Sequence, residues 1–328
     1  MTIRVFTMFS GYDSQCMALD RLKEKHPQFD YELVGWAEID KYAIAAHNAV
    51  YPQYAERNFG DVCSIDWARV PDFDLLTYSS PCQDFSQIGT QKGGKQDSGT
   101  RSSLLWQVER AIKEKKPRWC VMENVAALAS DKFAKQFNAW QALLQAHEYS
   151  NFAKRINAKD YVPQNRERLY MVSIKDCAAA YYFPTPSAHV KSLRDIYEKQ
   201  VPLKYYVDYD FCVDDLEPIL LGWSRPKTGN DVKRYAVQVA NCVTANKHNN
   251  TQNYVLEVAQ YRLRKLTERE CFRLMGVCDS DIDKIIKAVN RTQCNKMAGN
   301  SIVVDVLAAI FEQLFFPNKK QYQQLEIF

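Results

Sequence analysis

Cys82 follows Ser79-Ser80-Pro81 and precedes Gln83-Asp84-Phe85-Ser86, and a thiol so placed could serve as a nucleophile. Before it runs Phe73-Asp74-Leu75-Leu76-Thr77-Tyr78, a short apolar segment with the pattern of a buried parallel strand. Strand ends in open α/β sheets are where ligands and chemistry gather. Taken alone, Cys82 would more often be a small buried thiol with no chemistry. Two other polar sets shift that balance. Glu123 closes the apolar run Trp119-Cys120-Val121-Met122, and Arg166 and Arg168 stand where a later strand pattern begins. Brought to one sheet edge, a nucleophile, a carboxyl able to carry a proton and a cation suit addition to an electron-poor heterocycle.

Those groups can meet only if a sheet carries them. Ile3 to Phe9 reads as a first strand, broken at Ser10-Gly11-Tyr12-Asp13-Ser14 and followed by a helix from Gln15 to Lys25 that Asp13 or Ser14 can cap. Strand, Gly-containing turn and helix open a doubly wound fold, and the helix N-terminus offers amides to an anionic group. Glu32 to Ala37 reads as a second strand ending at Glu38, a carboxylate placed to accept from ribose hydroxyls. Asp40 to Tyr51 is expected as helix, Tyr54 to Phe59 as a third strand ending at Gly60-Asp61. Gln87 to Arg101 has no apolar period and reads as a lid or binding loop. Helices are expected at Ser103 to Lys115 and Phe133 to Leu144, and strands at Tyr149 to Asn157 and Arg168 to Ile174.

Composition agrees with that plan. The chain has 328 residues, 46% hydrophobic and 25% charged, enough for one large domain and a smaller one. A net charge of +4 suits a polyanionic partner without requiring one. Ten Cys and five His include no Cys-x-x-Cys and no His pair at helical ligand spacing, so no metal site is expected. Met1-Thr2-Ile3-Arg4 leads into a strand pattern, and no uncharged apolar run approaches ~18 residues, so no membrane association is expected. Free thiols in a reducing cytoplasm are the expected setting. At Pro184 and Pro186 the pattern turns polar and rich in turns. The expected division is a large domain over 1–182, a second domain over 183–296, a helix over 297–316 that completes the first, and a tail over 317–328.

In order along the chain stand Phe9-Ser10-Gly11, Glu38, Asp61, Pro81-Cys82-Gln83-Asp84-Phe85-Ser86, Glu123-Asn124-Val125 and Gln164-Asn165-Arg166-Glu167-Arg168. Arg264-Lys265-Leu266-Thr267-Glu268-Arg269-Glu270, Leu274-Met275-Gly276 and Gly299-Asn300-Ser301 follow. Each piece alone is a weak signal; the whole set in this order resembles the cytosine carbon-5 DNA methyltransferase family, over about Val5 to Leu307. Two departures stand out. Asp13 occupies a place where that family usually has Gly, and Cys242 one where it usually has Thr.

The resemblance implies an α/β fold, a doubly wound Rossmann-like sheet with a second, smaller target-recognition domain. It also implies transfer of a methyl group from S-adenosyl-L-methionine to carbon 5 of a flipped-out cytosine in double-stranded DNA. Phe9 and Ile39 would sandwich the adenine, Glu38 would hold the ribose, and Asp61 with Val62 would meet the adenine edge. Gly11, Pro81, Asn300 and Ser301 would face the methionine part. Cys82 would be the nucleophile, Glu123 would bond the base at its ring nitrogen and amino group, and Arg168 would hold the base carbonyl. Ser86 with Arg166 would steady flanking phosphates, and Gln83 and Lys92 would also touch DNA. In the second domain Thr244 is a candidate groove reader, and Arg225, Lys227, Lys233, Arg234 and Lys247 would attract phosphates. A monomer is expected, acting in a restriction-modification system beside a separate endonuclease, or as a phage or orphan enzyme. The rivals are the same chemistry on RNA, a catalytically silent DNA-binding relative, and a nicotinamide dehydrogenase. The last lacks its full Gly-rich fingerprint here.

Overall fold

The computed structural model describes residues 1–80, 104–177, 180–186, 192–207, 219–224, 233–237, 239–245, 253–257 and 262–317. The chain divides into two compact units, one of Met1–Ile156, Glu167–Thr185 and Val306–Phe328, the other of Asn157–Arg166 and Pro186–Asp305. The second unit therefore takes ten residues from the middle of what the sequence suggests is a single first domain, and extends to Asp305 rather than 296.

The first unit alternates strands and helices: β1 (Thr2–Met8), α1 (Ser14–Lys25), β2 (Asp30–Ala37), α2 (Lys41–Val50), β3 (Leu75–Tyr78), α3 (Leu105–Lys115), β4 (Trp119–Val125), α4 (Ala134–Ala146), β5 (Tyr149–Asn157) and β6 (Glu167–Lys175). They form a six-stranded sheet in the order β2-β1-β3-β4-β6-β5. β1 runs parallel to β2 and β3, and β3 to β4, while β4 and β6 are antiparallel. All four residues of β3 are buried, as a strand covered on both faces requires. Phe6 stacks against Phe73 and packs on Trp67 and Phe59, so the core is aromatic on that side of β1.

The expected strand at Tyr54 to Phe59 is instead a 3-10 turn over Pro52–Arg57. Pro52 lacks an N–H and its fixed φ suits the first position of a helical turn, which outweighs the β preference of the aromatic residues after it. Asn58 forms an isolated parallel bridge to Trp36, and Phe59 N donates to Trp36 O at 2.7 Å.

The second unit holds β7 (Tyr206–Val207), β8 (Ile219–Ser224), β9 (Lys233–Val237), β10 (Tyr254–Glu257) and β11 (Arg262–Lys265), an antiparallel sheet ordered β9-β8-β10-β11-β7. The helices α5 (Glu268–Leu274), α6 (Asp279–Ala288) and α7 (Arg291–Asn300) follow. α5 begins with a reciprocal cap: Glu270 N donates to Thr267 Oγ1 at 3.1 Å and Thr267 N donates to Glu270 Oε2 at 2.9 Å. Arg264, nearly fully buried, grips the same carboxylate with both terminal nitrogens at 2.8 Å and reaches Glu257 at 2.6 Å. The Arg264 to Glu270 segment thus fastens β11 to α5 and β10 with a compensated buried charge.

The single helix expected over 297–316 is two, α7 and α8 (Val304–Phe315), parted at Ser301 where the backbone is extended. Arg291–Phe315 together has the length and hydropathy of a membrane span. It is interrupted, however, and Val306, Leu307, Ile310 and Phe311 of α8 are buried within the protein. Tyr181 donates to Ile310 O, and Phe315 packs edge-on to Trp119, which docks α8 in the first unit.

Candidate active site

Register decides where the polar groups of the first unit fall. Met8 pairs with Ala37 and with Tyr78, and Tyr78 pairs with Met122, so β1, β2 and β3 end level with Met122 of β4, which runs three residues further. Phe9, Glu38, Ser79 and Glu123 therefore emerge at one carboxyl edge. β6 runs the other way and begins there, with Arg168 opposite Val125 and Tyr170 opposite Glu123. The sheet order also reverses beside β1, the crevice in which open α/β sheets bind ligands.

At this edge Arg168 Nε lies 3.3 Å from Glu123 Oε1, and Glu123 is 8% exposed. A carboxylate buried that far needs a counter-charge, and the guanidinium supplies it. Arg168 Nη1 also donates to its neighbour's carbonyl, Glu167 O, at 2.8 Å, which limits where the cation can swing. Asn124, whose role the sequence leaves unread, donates from Nδ2 to Ser80 O at 3.2 Å and approaches Ser80 Oγ at 3.4 Å. Ser80 is buried and stands two residues before Cys82, so β4 holds the chain leading into the thiol segment.

Pro81, Cys82, Gln83, Ser86 and Lys92 lie outside the described residues, as does the Gln87 to Arg101 loop. Burial pushes the thiols of Cys16, Cys120 and Cys271 well up, and that of Cys294 up to about 12. Burial and then the Asp61 carboxylate raise Cys63. Raised thiols hold little of the thiolate, the form that attacks, at neutral pH.

The turn after β1 is wound through the left-handed region three times, at Phe9 (φ 58°), Gly11 (φ 59°) and Asp13 (φ 68°). For a bulky residue such as Phe9 this costs roughly 1–2 kcal/mol, and backbone strain of this kind gathers at functional sites. Glu38 fixes the turn to the end of β2. Gly11 N donates to Glu38 Oε2 at 2.9 Å, while Ile39 N and Asp40 N donate to Oε1 at 2.8 and 2.9 Å. A carboxylate has about four acceptor positions, so among the described residues one remains for a further donor. A carbon added to Gly11 would meet nothing within 4 Å among the described residues, and Ile39 stands 71% exposed beside it in sequence to Glu38. Room over a glycine, an apolar side chain held in solvent and a carboxylate with an acceptor to spare fit an adenosine-bearing ligand. Val62 is buried and Asp61 exposed just beyond the Asn58 and Gly60 loop that Glu38 also engages.

Arg166 differs from what the sequence suggests. It is 3% exposed, and its guanidinium donates to Val243 O at 3.0 Å, Gly299 O at 3.1 Å and Ser301 O at 2.8 Å, with Cys242 Sγ at 3.4 Å. A cation whose two terminal nitrogens bond three carbonyls and a sulfur inside its own unit acts as a clamp, although its buried Nε has no partner among the described residues. Gln164 acts beside it, donating to Leu274 O at 2.8 Å and accepting from Val243 N at 2.9 Å. Thr244 falls in the same clamped stretch, with its backbone so close to Gly299 that a side chain there would collide at 2.2–2.3 Å. Asn300 and Ser301 also lie in the second unit. Arg225, Lys227 and Lys247 are outside the described residues, and Lys233 and Arg234 lie on β9.

A family model of C-5 cytosine-specific DNA methylases matches residues 3–315. The Type II methyltransferase M2.ScrFI of Lactococcus lactis subsp. cremoris is 32% identical, over 95% of this chain and 99% of that protein. The orphan methyltransferase M.SPRI of Bacillus phage SPR is 27% identical, over 95% of this chain and 97% of its own. Among solved structures, Entamoeba histolytica methyltransferase EhMeth superposes with a TM-score of 0.73 at 16% identity, over 96% of this chain and 98% of that one. The S. pombe Dnmt2 methyltransferase gives 0.67 at 17%, over 96% and 99%. Those two share the fold, and the sequence matches carry the kinship: this chain belongs to the C-5 cytosine-specific DNA methylase family.

Proposed function

We propose that this S-adenosylmethionine-dependent DNA cytosine-5 methyltransferase works through a covalent adduct between Cys82 and a cytosine turned out of the duplex. The observation that carries the reading is the Glu123–Arg168 pair, 3.3 Å apart at the strand edge beside the segment that leads to Cys82. Carbon 5 of cytosine is a weak nucleophile. The Cys82 thiolate adds to carbon 6, and the ring becomes an enamine whose carbon 5 is reactive. Glu123 donates to or protonates the ring nitrogen, so that charge does not accumulate there, and Arg168 holds the ring carbonyl. S-adenosylmethionine, when bound, supplies an electrophilic methyl group. Loss of the carbon-5 proton then expels the Cys82 sulfur as thiolate and restores aromaticity.

The target atom is inaccessible in a stacked helix, so the base leaves the duplex at a cost of a few kcal/mol. The Gln87 to Arg101 loop, with Lys92, is the proposed lid, and Gln83 and Ser86 the proposed contacts to the flanking strand. Phe9 and Ile39 would flank the adenine, Glu38 would take the ribose, Asp61 and Val62 the adenine edge, and the Gly11 and Pro81 backbone the methionine part. Asn300 and Ser301 join this set by family likeness alone. Arg225, Lys227, Lys233, Arg234 and Lys247 would draw the duplex, with affinity falling as salt rises. The setting is a bacterial or phage-infected cell, in a restriction-modification system or as an orphan enzyme, as the names of the relatives suggest.

Transfer of a labelled methyl group offered in parallel to duplex DNA and to transfer RNA tests the substrate. Labelled DNA with blank RNA is expected, and the reverse would overturn the DNA reading. Bisulfite sequencing of DNA from cells expressing the chain would give the target sequence. Asn124→Ala should cut kcat at least tenfold with little change in duplex affinity, because it releases Ser80 and loosens the approach to Cys82. Steady-state kinetics beside a gel-shift titration would check it.

A further inference from the structure

Asp13 stands where the family usually has glycine, in a turn whose left-handed backbone a glycine would adopt without strain. Its carboxylate is fully buried and each oxygen is engaged. Oδ1 accepts from Cys16 N at 3.1 Å, while Oδ2 accepts from Thr7 Oγ1 at 3.1 Å and lies 3.5 Å from His47 Nε2. His47, also fully buried, stacks on Trp36 at 3.7 Å and meets Asn48 through Nδ1 at 3.2 Å. Asp13 is therefore tied to β1 through Thr7 and to α1 through Cys16. It faces α2 at 3.5 Å from His47 Nε2, a buried nitrogen with no hydrogen-bond partner among the described residues, on the ring that stacks against Trp36 of β2. Two residues beyond Trp36 stands Glu38, the carboxylate that holds Gly11.

We infer that Asp13, with His47, is a positioning residue that fixes the Gly11 turn against Glu38 from beneath, doing by side-chain attachment what the family's glycine leaves to the backbone. Glycine supplies the dihedral angles but nothing that grips α2. The inference rests on reading this turn as the S-adenosylmethionine site, and its test separates the two. Calorimetric titration with S-adenosylhomocysteine is run on the full chain and on D13G, D13N and H47Q. D13G keeps the permitted backbone and loses the grip, so its affinity should fall about tenfold. D13N retains an oxygen for Cys16 or Thr7 and should recover to within about threefold of the parent, and H47Q should fall between the two. KM for S-adenosylmethionine should follow the same order, with kcat at saturation changed less than twofold.

D13G binding as tightly as the parent would overturn the inference. So would a lowered unfolding temperature in D13G with affinity unchanged, since Asp13 would then be only a structural residue. If D13G does not fold, D13N and H47Q decide: parental affinity in H47Q removes the role given to His47. A parent chain that binds no S-adenosylhomocysteine would instead strike at the cofactor reading itself.

Discussion

Cys82→Ser should lower methyl transfer by more than a thousandfold while leaving duplex affinity within about threefold. A thiol has an ordinary pKa near 8.5 and gives a usable fraction of thiolate at neutral pH, whereas a serine hydroxyl gives essentially none. The two side chains are close in size, so the substitution removes nucleophilicity with little change in shape. Burial has already pushed up Cys16, Cys120, Cys271 and Cys294, and none of these is suited to take over. A duplex with 5-fluorocytosine at the target makes the assignment direct. Fluorine at carbon 5 does not leave as a proton does, so the adduct persists and peptide mass mapping identifies the sulfur. Turnover retained in the serine variant would refute the covalent route, and an adduct on another cysteine would move the site.

The strand edge that frames this chemistry is readable in sequence because its signals are local. Leu75 to Tyr78 and Trp119 to Met122 are apolar runs too short for helices, and Asp13 caps α1 as its type and place suggest. Thr267 with Glu270 is likewise a local pair, three residues apart. What escapes is set by partners far along the chain. Arg166 reads as a second active-site cation because it sits two residues from Arg168, yet its acceptors are backbone carbonyls 77 to 135 residues away. Carbonyls carry no sequence signal. Asn124 anchors Ser80 across 44 residues for the same reason. The region that looks merely polar and turn-rich hides α6, where only Ile282 and Ile285 are buried, so its apolar stripe is too thin to stand out. Residues 157–166 enter the second unit and leave it with no change of composition to mark the passage.

Arg166→Met should destabilise the second unit by at least about 3 kcal/mol, because it strips the donor from three buried carbonyls at once. For a unit of this size that corresponds to a fall of roughly 10 °C in its unfolding temperature. Arg166→Lys keeps the charge, but a single ammonium cannot reach Val243 O, Gly299 O and Ser301 O together, and about half the loss should remain. Gly299→Ala attacks the same junction from the other side. Its new carbon would strike the Thr244–Ala245 backbone at 2.2–2.3 Å, so the stretch must shift and Arg166 must lose acceptors. If both changes act on one clamp, their effects on unfolding will be well short of additive, since either alone opens the junction. Urea denaturation of the two single variants and the double would measure the shortfall. Full additivity, or an Arg166→Met protein as stable as the parent but with weakened duplex binding, would return this guanidinium to the phosphate backbone.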